Sequence, residues 1–68
     1  MKTGDLVRCK GSEIYVTSMG NPYNSWYVLK AEGPFLWLGG CGDTVLVKIM
    51  LREGTLAVCS SRSLERVT

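Results

Sequence analysis

Covalent or metal chemistry needs a nucleophile, a base or a set of ligands at workable spacing, and this 68-residue chain offers few of them. It contains no histidine, and its three cysteines are Cys9, Cys41 and Cys59. An odd, widely spaced set is not the disulfide framework of a small secreted domain. Without a CxxC pair or an imidazole it is not a zinc site either. Cys41 lies in Gly39-Gly40-Cys41-Gly42-Asp43, a glycine turn with no base to form a Cys-His dyad, and a neighbouring carboxylate works against the thiolate. The expectation is no catalytic residue, no metal, no cofactor and no small-molecule substrate. Cys41 is expected to be the most exposed thiol, with Cys9 and Cys59 in or near a core and the chain in a reducing compartment.

Recognition chemistry has more to work with. Tyr15 has outward parity on its segment, Tyr23 sits in Asn21-Pro22-Tyr23-Asn24, and Tyr27 follows Trp26. Aromatic faces beside cations make stacking platforms for single-stranded nucleic acid or for peptides. The cations with outward parity are Arg8, Lys10, Lys48 and Arg52. Leu46 and Met50 share the parity of Lys48 and Arg52, which gives an apolar and basic stripe of the kind that marks protein interfaces. Trp26, Phe35 and Trp37 can equally fill a small core. Eight Lys+Arg against six Asp+Glu leave a net charge of +2, well below what a dedicated phosphate-neutralising domain carries.

The elements that must position these side chains are short strands. Glycine and small polar residues recur at Gly4-Asp5, Lys10-Gly11-Ser12, Gly20-Asn21-Pro22, Gly33-Pro34, Gly39 to Asp43 and Glu53-Gly54. Short runs rich in Val, Ile, Leu, Thr, Tyr and Trp lie between them, the pattern of a small all-β domain. No window has helical periodicity beyond one turn. Thr44 to Arg52 alternates most clearly, with Val45, Val47, Ile49 and Leu51 on the core face. Glu53-Gly54 reverses the chain into Thr55 to Ser60, with Gly54 taking positive φ. The serines that follow favour a tight turn from which Leu64 and Val67 drop into the core. Gly4 to Cys9 and Glu13 to Met19 are further strands, the second with Ile14 and Val16 inward. Ser25 to Ala31 is a strand in which Trp26/Val28 and Tyr27/Leu29 compete for the inside. Phe35 to Leu38 is a short strand or an apolar loop.

An opening Gly4-Asp5-Leu6-Val7-Arg8 strand, a central hairpin and a closing strand, Ser61-Arg62-Ser63-Leu64 turn and Glu65-Arg66-Val67 strand resemble the SH3-like small barrels. The layout is similar to tiny SH3-like proteins of unassigned function in bacteriophage genomes. The resemblance implies an all-β, SH3-like barrel over residues 3–67, with five to six short antiparallel strands and a 3₁₀ turn before the last. The ALYDY-type motif of proline-peptide-binding SH3 domains is missing, and Lys10-Gly11-Ser12 only faintly echoes the glycine-centred turn of KOW modules.

Two functional expectations follow. The first is a non-catalytic protein-interaction module that docks on a partner or on itself through Leu46, Met50, Tyr15, Tyr23 and Tyr27; an apolar content of 46% favours it. The second is a nucleic-acid-binding accessory domain with Arg8, Lys10, Lys48 and Arg52 on phosphates and tyrosines on bases. Met1-Lys2-Thr3-Gly4-Asp5 has no apolar stretch behind its lysine, so neither a signal nor a transit pattern is present. The longest apolar run, Val45 to Leu51, is too short to span a bilayer. The expected location is the cytoplasm, that of the host if the chain is phage-encoded, with no membrane partner.

Overall fold

The computed structural model describes residues 2–40 and 45–67. Seven strands are present among them: β1 (Leu6–Cys9), β2 (Glu13–Ser18), β3 (Ser25–Leu29), β4 (Phe35–Gly40), β5 (Leu46–Met50), β6 (Leu56–Ser60) and β7 (Leu64–Arg66). Two single 3₁₀ turns, Lys30–Glu32 and Ser61–Ser63, are the helical elements. All pairings are antiparallel, in the order β3-β2-β6-β5-β4-β1-β7. The fold is all-β, as expected. The strand count exceeds the expected five to six, because Phe35 to Leu38 is a full strand that runs on through Gly39 and Gly40. β3 and β7 end the order, so the described ladder does not close on itself.

Every strand sends at least one side chain into the same buried cluster, from Val7 and Cys9 on β1 to Leu64 on β7. A flat sheet of this width could not bury them together at one site, so the sheet must coil around its own inner face. Phe35, Ile49, Val7, Val16 and Cys9 are the largest fully buried side chains. Trp26 and Trp37 pack against the cluster from its rim. No buried polar or charged residue occurs among the described residues, so the core is held by apolar burial at roughly 1.5–3 kcal/mol for each large side chain.

The β5–β6 hairpin follows the sequence closely. Val47, Ile49 and Leu51 are buried, and Cys59 and Ala57 lie opposite Val47 and Ile49. Gly54, at φ 90°, donates its N–H to the Leu51 carbonyl at 2.9 Å, and Leu51 N–H reaches the Thr55 carbonyl at 2.8 Å. This is a three-residue hairpin loop with glycine at its left-handed position. On β4, a register shift between Trp37 and Gly39 and the positive φ of Gly39 mark a bulge that turns the strand.

Three expectations are corrected. Val45 is 46% exposed instead of inward. It precedes the first residue of β5 and lies beyond the buried run Val47, Ile49 and Leu51, while its carbonyl still accepts from Ser61 N–H at 2.8 Å. Val67 is exposed as well; it sits three residues after the inward Leu64 in extended chain, which puts it on the opposite face. The third strand stops at Leu29, and Ala31 belongs to a 3₁₀ turn. Within β3, Val28 is buried and Trp26 half-buried while Tyr27 and Leu29 are exposed, which settles the competing parity.

Ile49→Ala should destabilise the fold by about 2–5 kcal/mol in urea unfolding, whereas Val45→Ala should stay within about 0.5 kcal/mol. Equal losses at the two positions would contradict the inward and outward assignments.

Candidate interaction face

Tyr15 and Tyr27 meet across the outer face of β2 and β3. They are directly opposite in the register, with ring centroids 5.0 Å apart and planes at 61°. The edge-to-face arrangement suits the ring quadrupoles. Next to them Thr17 faces Ser25, and their hydroxyls are 2.9 Å apart. Both tyrosines remain more than half exposed, at 55% and 61%.

β2 pairs with β6 at Thr17↔Val58 and Ser18↔Ala57, and Met19 N–H then donates to the Leu56 carbonyl at 3.3 Å. Beside this junction lies an open groove of about 670 Å³. Tyr15, Thr17, Ser18 and Met19 line it from β2 and the residue after it, Val58, Cys59 and Ser60 from β6, Leu46 from β5, Ser63 from the second 3₁₀ turn and Pro22 from the β2–β3 connection. No residue in that lining is charged. A second open cavity, about 350 Å³, lies on the other side of β3 and is rimmed by Glu32, Arg52 and Glu53 over Trp26, Val28, Phe35 and Leu51.

The expected contact residues separate accordingly. Tyr15 and Leu46 line the groove, and Tyr27 packs on Tyr15. Met50 is half-buried on the outer face between Leu36 and Leu56 and does not line the groove. Tyr23 is 95% exposed at the hairpin tip, where its N–H bonds Asn21 Oδ1 at 3.0 Å; it lines neither cavity.

The expected cations sit on different elements. Arg8 on β1 is ion-paired with Glu65 at 3.5 Å. Lys48 is half-buried on β5, across from Gly39 and Val58. Arg52 sits at the hairpin turn with Glu53 beside it, and Lys10 follows the end of β1. Arg66 and Asp5 form a further pair at 3.7 Å. The Lys2 N–H bonded to its Oδ2, with Arg66 nearby, holds the Asp5 carboxyl below its ordinary range.

Cys59 belongs to the buried core and also borders the groove. Burial pushes its thiol up to about 11, so it is protonated and a poor nucleophile at neutral pH. Cys9 is fully buried, and its S–H donates to the Gly11 carbonyl at 3.3 Å. Cys41 lies outside the described residues. Among the described residues no group of His, Cys, Asp and Glu could hold a metal ion, and no helix is long and apolar enough to cross a membrane.

Sequence reasoning missed Thr17, Ser18, Met19, Pro22, Val58, Ser60 and Ser63 as groove residues. They meet through the β2–β6 pairing, which has no local signature in the chain. No family model, no curated protein and no solved structure matches this sequence.

Because the folded Cys59 thiol titrates near 11 and an ordinary thiol near 9.0, the unfolded state loses its proton first as the pH rises. Its contribution to stability is complete below about pH 9 and is lost toward pH 11. Wild type should therefore lose more stability over that interval than Cys59→Ala in parallel urea titrations. Equal losses would contradict a desolvated thiol. Alkylation at neutral pH under native conditions should likewise leave Cys9 and Cys59 unmodified.

Proposed function

We propose that this chain is a non-catalytic protein-interaction module built on a small SH3-like barrel, and that it takes an extended, uncharged peptide segment in the groove between β2 and β6. The barrel reading is supported by the single 3₁₀ turn Ser61–Ser63 between the last two strands and by a sheet coiled around one core. The functional reading rests on one observation. The groove of about 670 Å³ is lined by aromatic, aliphatic and hydroxyl side chains with no charged residue among them.

That chemistry fits a peptide. Tyr15, Met19, Pro22, Leu46 and Val58 offer apolar contact, while Thr17, Ser18, Ser60 and Ser63 offer hydroxyls to a peptide backbone. Tyrosine and methionine are enriched in protein contact surfaces because they give large area with a small polar component. Phosphate recognition would need cations in the groove. Instead Arg8 faces Glu65, and Arg52 shares its rim with Glu32 and Glu53.

Peptides selected from a random display library on the full chain provide the probe. A bound peptide should shift the amide resonances of Tyr15, Thr17, Val58 and Ser60. Tyr15→Ala should weaken it at least about tenfold, as expected for an aromatic anchor. Affinity should change less than about threefold between 50 and 200 mM salt, where phosphate-driven binding falls by orders of magnitude. Steeply salt-dependent oligonucleotide binding that shifts Arg8, Lys48 and Arg52 instead would overturn the reading in favour of the nucleic-acid alternative.

A further inference from the structure

An antiparallel strand directs alternate residues' N–H and C=O groups to one neighbour and the rest to the other side. Ser18 N–H donates to the Asn24 carbonyl and Lys30 N–H to the Ser12 carbonyl, both at 2.8 Å. These bonds fix the alternation along β3: Trp26 and Val28 bond β2, while Ser25, Tyr27 and Leu29 point their backbone groups away from it. No strand pairs with that outer side among the described residues. Leu29 N–H is already taken by Glu32 Oε2 at 2.8 Å, and Tyr23 N–H by Asn21 Oδ1 at 3.0 Å. The open part of the edge is therefore Ser25 and Tyr27.

Sheet edges are normally guarded by charge, proline or brevity. The opposite edge follows that rule, since β7 has only three residues and two of them are Glu65 and Arg66. β3 has no guard. Its sequence is Ser-Trp-Tyr-Val-Leu, uncharged, free of proline and rich in residues that favour strands.

We propose that β3 is a self-pairing edge, and that the chain dimerises by placing β3 of a second copy antiparallel to its own, with the twofold axis at Trp26. This register is singled out by the groups left open. Ser25 of each copy exchanges both backbone hydrogen bonds with Tyr27 of the other. The Glu32 and Asn21 bonds to Leu29 and Tyr23 stay intact, and no two charged residues face each other. The two Trp26 side chains meet on the inner face, at the mouth of the cavity that Trp26 shares with Val28 and Phe35. A second copy matches each open residue of this edge with the other, Ser25 with Tyr27 and Tyr27 with Ser25, so no backbone group opened by the alternation is left over. Self-pairing rests on the reading of the chain as a protein-interaction module, but it uses the backbone edge of β3 instead of the groove, so each fails on its own test.

Sedimentation equilibrium of the full chain over micromolar to millimolar concentration tests it, together with amide exchange across the same range. Wild type should show a reversible monomer–dimer equilibrium. The Ser25 and Tyr27 amides should gain protection with concentration, while those of Trp26 and Val28 should not change. Ser25→Pro removes an outward N–H at a position where an edge strand tolerates proline; it should weaken the dimer at least about tenfold. A synthetic chain N-methylated at Tyr27 should do the same, and carries the test if Ser25→Pro does not fold. Leu46→Glu, which disables the groove, should leave the dimer intact. A strict monomer at millimolar concentration, or a dimer lost in Leu46→Glu but kept in the two edge variants, would overturn self-pairing. A dimer that persists while no selected peptide binds the groove would count against the groove alone.

Discussion

The register of β5 against β6 is the constraint from which the rest of this molecule follows. With Ile49 opposite Ala57 and Val47 opposite Cys59, one face of the hairpin is wholly apolar and fully inside. A slip by one residue would turn Lys48 inward and Ile49 out, at the cost of a buried unpaired charge and a lost core side chain. In a chain of 68 residues there is little other burial to offset that. The glycine loop at Gly54 and the alternation of β5 select the same register independently, so local and long-range preferences agree.

That register also decides what the outside looks like. It puts Leu46, Lys48 and Met50 on the outer face and lines them up with Ser60, Val58 and Leu56. β2 then joins β6 at Thr17↔Val58, which brings the Tyr15–Tyr27 pair beside Val58 and Ser60. The groove opens beside this junction. Two ion pairs, Arg8–Glu65 and Arg66–Asp5, lie on the β1 and β7 side, while Lys48 stands across from Val58 without lining the groove. The molecule thus has a charged, guarded edge at β7 and an uncharged, unguarded one at β3. Its apolar groove is on the half that carries the unguarded edge.

Much of the fold was legible because it depends on local rules. The alternation of Val47, Ile49 and Leu51, the Gly54 reversal and the Ser61–Ser63 turn are all short-range features, and each is present. The face of β3 was ambiguous because Trp26, Tyr27, Val28 and Leu29 are all apolar enough for either side; pairing with Ile14 and Val16 decides it. Val45 misled because alternation reports the pleat and not how far along it the core extends, and the buried run begins at Val47. Tyr15 and Leu46 could be singled out from parity, and Tyr27 only as an aromatic beside Trp26. The groove that joins Tyr15 to Leu46 could not, since the β2–β6 contact links residues about forty apart in the chain.

Interstrand nuclear Overhauser contacts test most directly whether one register sets both the core and the contact face. The non-hydrogen-bonded pairs of β5 and β6 bring α-protons together. The structure requires contacts between the α-protons of Lys48 and Val58, of Leu46 and Ser60, and of Met50 and Leu56, with ring contacts between Tyr15 and Tyr27. Contacts that pair Lys48 with Ala57 or Cys59 would contradict the account, because they would turn the side chains assigned to the groove into the core.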